Sequence, residues 1–211
     1  MPIFKSNNNQ KHPILVMMKS IKIIICVACL IPLTSFTWYN ATERLVRDYI
    51  NTYAELAVIE MYRSGVPASI TLAQGLHESN YGQSDLATRA NNHFGIKCKS
   101  YWKGQKYYHE DDDFNTKGDL IESCFRAYNN PVESYVDHSN FLMYSSHYGK
   151  LFYLDKTDFK GWAYGLKECG YATDINYSKK LISKIEKYNL TQYDHSDNPY
   201  RAVIKGDSPK K

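Results

Sequence analysis

Two stretches of helix-periodic sequence bracket a short segment patterned for strands, and that interruption limits the fold more than any other feature. In residues 41–64, Leu45, Tyr49, Ile50, Tyr53, Leu56, Ala57 and Met61 recur at helical spacing. Asn40 and Glu43 stand three apart, as a cap and its reciprocal partner do. Gly65 stops that helix, and Pro67 opens a second that runs to Ser79, with Gly82 beyond it. A short helix over Ser84–Arg89 follows. The texture then changes: His93–Lys97, Lys106–His109 and Ser123–Tyr128 read as short strands, with Lys103-Gly104 and Lys117-Gly118 as turn signals. Helices resume over Pro131–Tyr144, Phe159–Cys169 and Ile175–Tyr188, with Asn130 and Asp174 as N-caps. The last of these carries Tyr177, Leu181, Ile182, Ile185 and Tyr188 on one face. No repeat and no domain-separating linker interrupts the order. The expected layout is one α+β domain over residues 41–193, a helical lobe and a small antiparallel sheet with a cleft between them.

The ends differ from this middle. Lys19 and Lys22 precede Ile23 to Leu33, an apolar run of about eleven residues where a membrane span needs roughly twenty. A basic start, a short apolar core and the small residues Thr34, Ser35 and Thr37 describe a secretory signal peptide over about residues 17–36. Residues 1–36 are therefore taken as a leader, and 194–211 as a polar tail. Removing the four lysines of the leader from the 26 basic residues leaves 22, against 22 acidic ones, so the charge gives no support to a nucleic-acid partner. Once the leader is removed no stable membrane span is expected, and a monomer exported to the periplasm, envelope or exterior is.

Export also frames the cysteines. Cys26 and Cys29 leave with the leader, and Cys98 and Cys124 flank the hairpin-like segment, so they are the expected disulfide, with Cys169 free.

Chemistry concentrates at Glu78, near the end of the second helix. Gln74 and Gly75 lie beneath it at i−4 and i−3, with Thr71 two turns back, a small and polar stripe that leaves room for a ligand. Ile70, Leu72, Ala73 and Leu76 face the core instead. A carboxyl group at an apolar helix end has its charged form disfavoured by desolvation, which suits a general acid. His77 points about 100° away on the helix and is not expected to partner it. The histidines show no metal-ligand spacing, so no metal and no cofactor is expected. No serine or cysteine nucleophile signature is present.

The stretch Gly65-Val66-Pro67-Ala68-Ser69-Ile70-Thr71-Leu72-Ala73-Gln74-Gly75-Leu76-His77-Glu78-Ser79-Asn80-Tyr81-Gly82 resembles the glucosaminidase domain of glycoside hydrolase family 73 (flagellar-type muramidases). The likeness continues through Asn91-Asn92-His93-Phe94-Gly95-Ile96-Lys97, Cys124 to Tyr128, Glu133 to His138, Gly161 to Leu166 and Gly170-Tyr171-Ala172-Thr173-Asp174. These blocks stand in family order over about residues 42–193. The resemblance implies a lysozyme-like fold that hydrolyses the β-1,4 bond after N-acetylglucosamine in peptidoglycan glycan strands. It implies Glu78 as the catalytic acid and Tyr171 as a catalytic residue. A second carboxylate comes from the sheet lobe in that family. Here His109 is followed by four acids, of which Glu110 and Asp111 are the expected members, with Asp112 behind them. Retaining, inverting and substrate-assisted routes are all compatible with that run. Tyr81, Asn92, Phe94 and Trp102, in or beside the resembling blocks, are the expected sugar contacts. A lysozyme-like muramidase or lytic transglycosylase also needs one buried glutamate and is the enzymatic alternative. A non-catalytic wall-binding protein on the same scaffold is the other.

Overall fold

The computed structural model describes residues 41–114, 118 and 120–200; of residues 111–114 and 120 it describes the backbone only. Contacts divide the chain between Leu45 and Val46. Of the first unit the described part is residues 41–45, which are helical, and everything below concerns the second. The leader and Asn40 lie outside the described residues.

In the second unit helix α1 occupies 46–64, α2 Ala68–Glu78, α3 Asp85–Ala90, α4 Pro131–Tyr144, α5 Phe159–Glu168 and α6 Tyr177–Lys187. Tight 3₁₀ turns cover Ser146–Tyr153 and Leu190–His195. Asn130 caps α4 by accepting from Glu133 N, and Ser84 caps α3 by accepting from Ala87 N. Asp174 does not cap α6. Its carboxylate accepts from Asn176 N in the turn before that helix, which begins at Tyr177, two residues later than the periodicity suggests.

The sheet is smaller than expected. β1 (Lys106–Phe114) pairs antiparallel with β2 (Leu120–Arg126), Lys106 opposite Arg126 and Glu110 opposite Glu122. The register slips between Glu110 and Phe114, so the acidic run sits at a bulge. His93–Lys97 is not a strand. One bridge, Lys97 to Phe125, is all it contributes to the sheet. The reason is Asn92, whose side chain donates to the carbonyls of Ile96 and Arg126 and accepts from Phe94 N and Ile96 N. These four bonds curl the segment into a loop.

Every residue of α2 from Ala68 to Gly75, and Leu76 after it, is buried. A helix withdrawn on all sides belongs to the centre of a core. The other helices close around it with Trp162, Tyr135, Tyr177, Leu166 and Leu181. The stripe under Glu78 is therefore filled, not open. A Cβ at Gly75 would lie 2.5 Å from the Tyr49 hydroxyl oxygen and 3.1 Å from that of Tyr135. Glycine stands there because two tyrosine hydroxyls press on the helix.

The structure also packs the chain past Tyr193, where the polar tail is expected to begin. Asp194 is buried, and its carboxylate accepts from Ser69 N at 2.8 Å. The N-cap of α2 is Pro67, which offers no side-chain acceptor. An acid from the far end of the chain thus serves the first turn of the helix that bears Glu78.

Candidate active site

Glu78 is the last residue of α2, and the chain turns sharply after it. Asn80, Tyr81 and Gly82 all take positive φ, 48°, 59° and 80°. Two consecutive non-glycine residues in the left-handed region are costly, about 1–2 kcal/mol each. Tyr81 N–H bonds back to Leu76 O, and the Ser79 hydroxyl donates to Gly75 O while accepting from Gly82 N. These bonds hold the turn and end the helix at the carboxylate.

The Glu78 side chain opens on a cavity of about 320 Å³. Phe94, Lys97, Lys99, Tyr148 and Tyr171 are among its other lining residues. A wider hollow of about 710 Å³ adjoins it and shares Lys99, Phe141, Tyr148 and Gly170. Burial pushes the Glu78 carboxyl up to about 7, against the opposing influence of a hydrogen bond from Tyr177 and the charge of Lys184. The Tyr177 hydroxyl donates to Glu78 Oε1 at 2.9 Å. His77 instead lies against the Tyr177 ring, 5.7 Å between centroids, and burial depresses it to about 4. It makes no bond to the acid, as the helix geometry suggests.

Tyr171 lines the same cavity and stacks on Tyr177, 5.7 Å between ring centroids. Its hydroxyl reaches toward Phe94 O at 3.5 Å, the outer limit of a hydrogen bond. Burial and the Glu78 charge raise it well above the ordinary tyrosine range, so it is a neutral hydroxyl at working pH. Phe94 is buried, its ring stacked on His138 at 3.9 Å, yet the residue borders the cavity.

Other expected contacts lie elsewhere. Asn92 is buried and spends its whole amide on the loop, so it shapes the cavity wall and has nothing left to offer a sugar. Tyr81 sits in the left-handed turn and packs against the core. Trp102 borders a separate hollow of about 300 Å³, bonds Gln105 O through its indole N–H, and carries the Arg126 guanidinium over its ring at 4.6 Å. Neither lines the cavity at Glu78.

Glu110 is exposed on β1 and is not among the residues lining that cavity. Asp111 and Asp112 belong to the same strand, and their side chains lie outside the described residues. Cys98 and Cys124 are joined by a disulfide, Cα atoms 5.3 Å apart, which ties the loop after Lys97 to β2. Cys169 is free. Among the described residues no cluster of three His, Cys, Asp or Glu could hold a metal ion, and no helix is long and apolar enough to cross a membrane.

Tyr177 is the site residue that sequence reasoning missed, and Gln74, read as part of an open stripe, is instead buried and bonded to it. Tyr177 reads as one more apolar-face residue of α6. The available signal was its hydroxyl, since a tyrosine on a core face needs a polar partner.

Residues 54–190 match the family model described as mannosyl-glycoprotein endo-beta-N-acetylglucosaminidase, the glucosaminidase family. The chain belongs to the glucosaminidase family. It is 34% identical over 165 residues to the exo-glucosaminidase LytG of Bacillus subtilis, covering 76% of this chain and 57% of that one. Among solved structures it is similar to the catalytic domain of the Listeria monocytogenes autolysin Auto, with TM-score 0.62 and 28% identity over 71% of this chain and 87% of that one. The glycoside hydrolase domain of Salmonella typhimurium FlgJ aligns with TM-score 0.55 and 27% identity, over 76% of this chain and 98% of that domain. The fold is the lysozyme-like one of these glucosaminidase domains. The chain spans about half the length of the curated relatives it matches, 57% of LytG and 46% of Salmonella FlgJ.

Proposed function

We propose that this chain is a peptidoglycan hydrolase that cleaves the β-1,4 bond after N-acetylglucosamine in wall glycan strands, with Glu78 as general acid. The observation that carries the proposal is a carboxyl group raised to about 7 at the head of a cavity, with one oxygen held by Tyr177. Such a group is protonated on the acid side of neutrality and can deliver that proton to a leaving glycosidic oxygen. Relatives named as a glucosaminidase and as peptidoglycan hydrolases support the substrate class and a place of action in the envelope or outside the cell. The neutral Tyr171 hydroxyl, beside the acid in the same cavity, is suited to bond the sugar or the attacking water.

The oxocarbenium-like transition state also calls for a negative partner. Glu110, Asp111 and Asp112 are its proposed source. Single amide variants separate them: the one that loses activity as deeply as Glu78→Gln supplies that partner. If all three retain activity, the substrate's own N-acetyl oxygen is the group.

The test of the main reading is digestion of purified peptidoglycan by the protein and by Glu78→Gln, with products borohydride-reduced and identified by mass. Reduced N-acetylglucosamine ends, lost by a factor of about 10²–10⁴ in the variant, are expected. Reduced muramic ends would assign a muramidase and anhydro-muramic ends a lytic transglycosylase. Wall binding without release would assign a binding protein.

A further inference from the structure

Behind Glu78 runs a line of buried polar groups that the reaction does not touch. Tyr177 donates to Glu78 Oε1 at 2.9 Å, Gln74 Nε2 donates to the Tyr177 hydroxyl at 2.9 Å, and Gln74 Oε1 lies 3.1 Å from His138 Nε2. Gln74 and His138 are wholly withdrawn from solvent. His138 Nδ1, also buried, has no hydrogen-bond partner among the described residues.

The direction of this chain of bonds and the tautomer at its far end go together. If His138 carries its proton on Nε2, Gln74 Oε1 accepts from it, the Gln74 amide donates to Tyr177, and the Tyr177 proton points at Glu78. If the proton were on Nδ1, every bond would reverse, and Tyr177 would accept from Glu78. His138 Nδ1 is unsatisfied in either state, as a lone pair in the first and an N–H in the second, whereas an ionised Glu78 can only accept and so admits only the first. The first direction is therefore the stable one. Burial holds His138 down to about 3, so it stays a neutral imidazole with one tautomer to choose.

A carboxyl group whose Oε1 accepts from Tyr177 carries its proton preferentially on Oε2, because the carbonyl oxygen is the better acceptor. We propose that Gln74 and His138 are positioning residues that fix the direction of the Tyr177 hydroxyl and so place the transferable proton of Glu78 on its other oxygen. This rests on Glu78 being the general acid. It adds that a histidine with no contact to that acid decides which of its oxygens is armed.

Other groups also act on Glu78. Lys184 on α6 favours its ionised form. Lys97, Lys99 and Tyr148 share its cavity, Tyr171 faces it from the turn before α6, and His77 precedes it on α2. A substitution at His138 removes none of these groups, but its ring packs on Phe94 and meets Tyr171 edge-on at 6.1 Å, so H138Q and the double variant are needed to separate the relay from a shift of that wall.

The experiment is the pH dependence of kcat/KM on soluble glycan strands for the wild type, H138M, H138Q, Y177F and the double variant H138M/Y177F, with Glu78→Gln as reference. Methionine removes the donor to Gln74 and frees the amide to turn over. Glutamine keeps an N–H donor. Y177F removes the donor to Glu78 directly. The expected result is an alkaline limb moved up by about one pH unit and kcat lowered roughly tenfold in Y177F, since losing one charge-assisted hydrogen bond is of that size. H138M is expected to share both changes in part, H138Q to restore them toward wild type, and the double variant to go no further than Y177F. A purely structural His138 would lower activity with the limb unmoved and add its effect to that of Y177F, and that outcome overturns the proposal. If H138M does not fold, Q74M breaks the same relay one step nearer and is judged by the same two criteria. Retained activity in Glu78→Gln would instead remove the reading on which the relay depends.

Discussion

Around α2 the helices close on Trp162, Tyr135, Tyr177, Leu166 and Leu181, each almost wholly withdrawn from water. The hairpin β1–β2, by contrast, exposes Tyr108 and Ile121 and has little apolar interior of its own. It is joined to the rest by the Cys98–Cys124 disulfide, by the amide of Asn92, and by Arg126. Arg126 forms a buried pair with Asp137 on α4, 2.8 and 2.9 Å to its two oxygens, and bonds the Tyr101 hydroxyl at 3.0 Å. Tyr128 donates to the same Asp137 at 2.6 Å. One region is held by many interchangeable dispersion contacts and the other by a few directional and covalent links. The first should unfold as a unit, the second by losing single ties.

Three measurements sharpen or break that contrast. Trp162→Ala removes the largest fully buried side chain, and a loss of about 3–5 kcal/mol in denaturant unfolding is expected, with both regions melting together. A loss below about 1 kcal/mol would mean the helical body is not packed as a single core. Reduction of the disulfide, which closes a span of 26 residues, is expected to cost about 3 kcal/mol, with faster amide exchange across β1 and β2 and little change in α2 and α6. Equal acceleration in both regions would erase the distinction between them.

The third is smaller and depends on pH. Glu78 is raised to about 7 by burial, so the folded protein holds this proton more tightly than the unfolded chain does. Between the usual carboxylate value and 7 the folded state binds more protons, and stability falls as pH rises through that window. Glu78→Gln is therefore expected to be more stable than the wild type by about 2–3 kcal/mol at pH 8 and equal to it near pH 4. A variant equally stable or less stable at pH 8 would mean that the ionised acid is not strained by its place.

The helices were legible because their signals are local. Period, the cap at Asn130, and stops at Gly65 and Gly82 all act within a turn or two. An acid ending an apolar helix is common, and Glu78 was legible through the ordered blocks from Gly65 to Asp174 that resemble one family. The loop at 93–97 was not, because its alternating residues suit a strand and only the Asn92 bonds to Ile96 and Arg126 forbid one. The crowding at Gly75 depends on Tyr49 and Tyr135, 26 residues before it and 60 after it in the chain. The Tyr177 bond to Glu78 spans 99 residues. No pattern along the sequence encodes a contact at that distance.

Asp194 bears on how the protein is made. The helix that carries the acid begins without a cap of its own and borrows one from a residue 125 positions later. A chain emerging from its N-terminus therefore displays Glu78 long before the helix beneath it can be finished. Only when the last 3₁₀ turn folds back does the first turn of α2 gain its acceptor. That side-chain acceptor exists only after Asp194 has been made, and a chain cut short before Asp194 keeps the acid and loses the clamp.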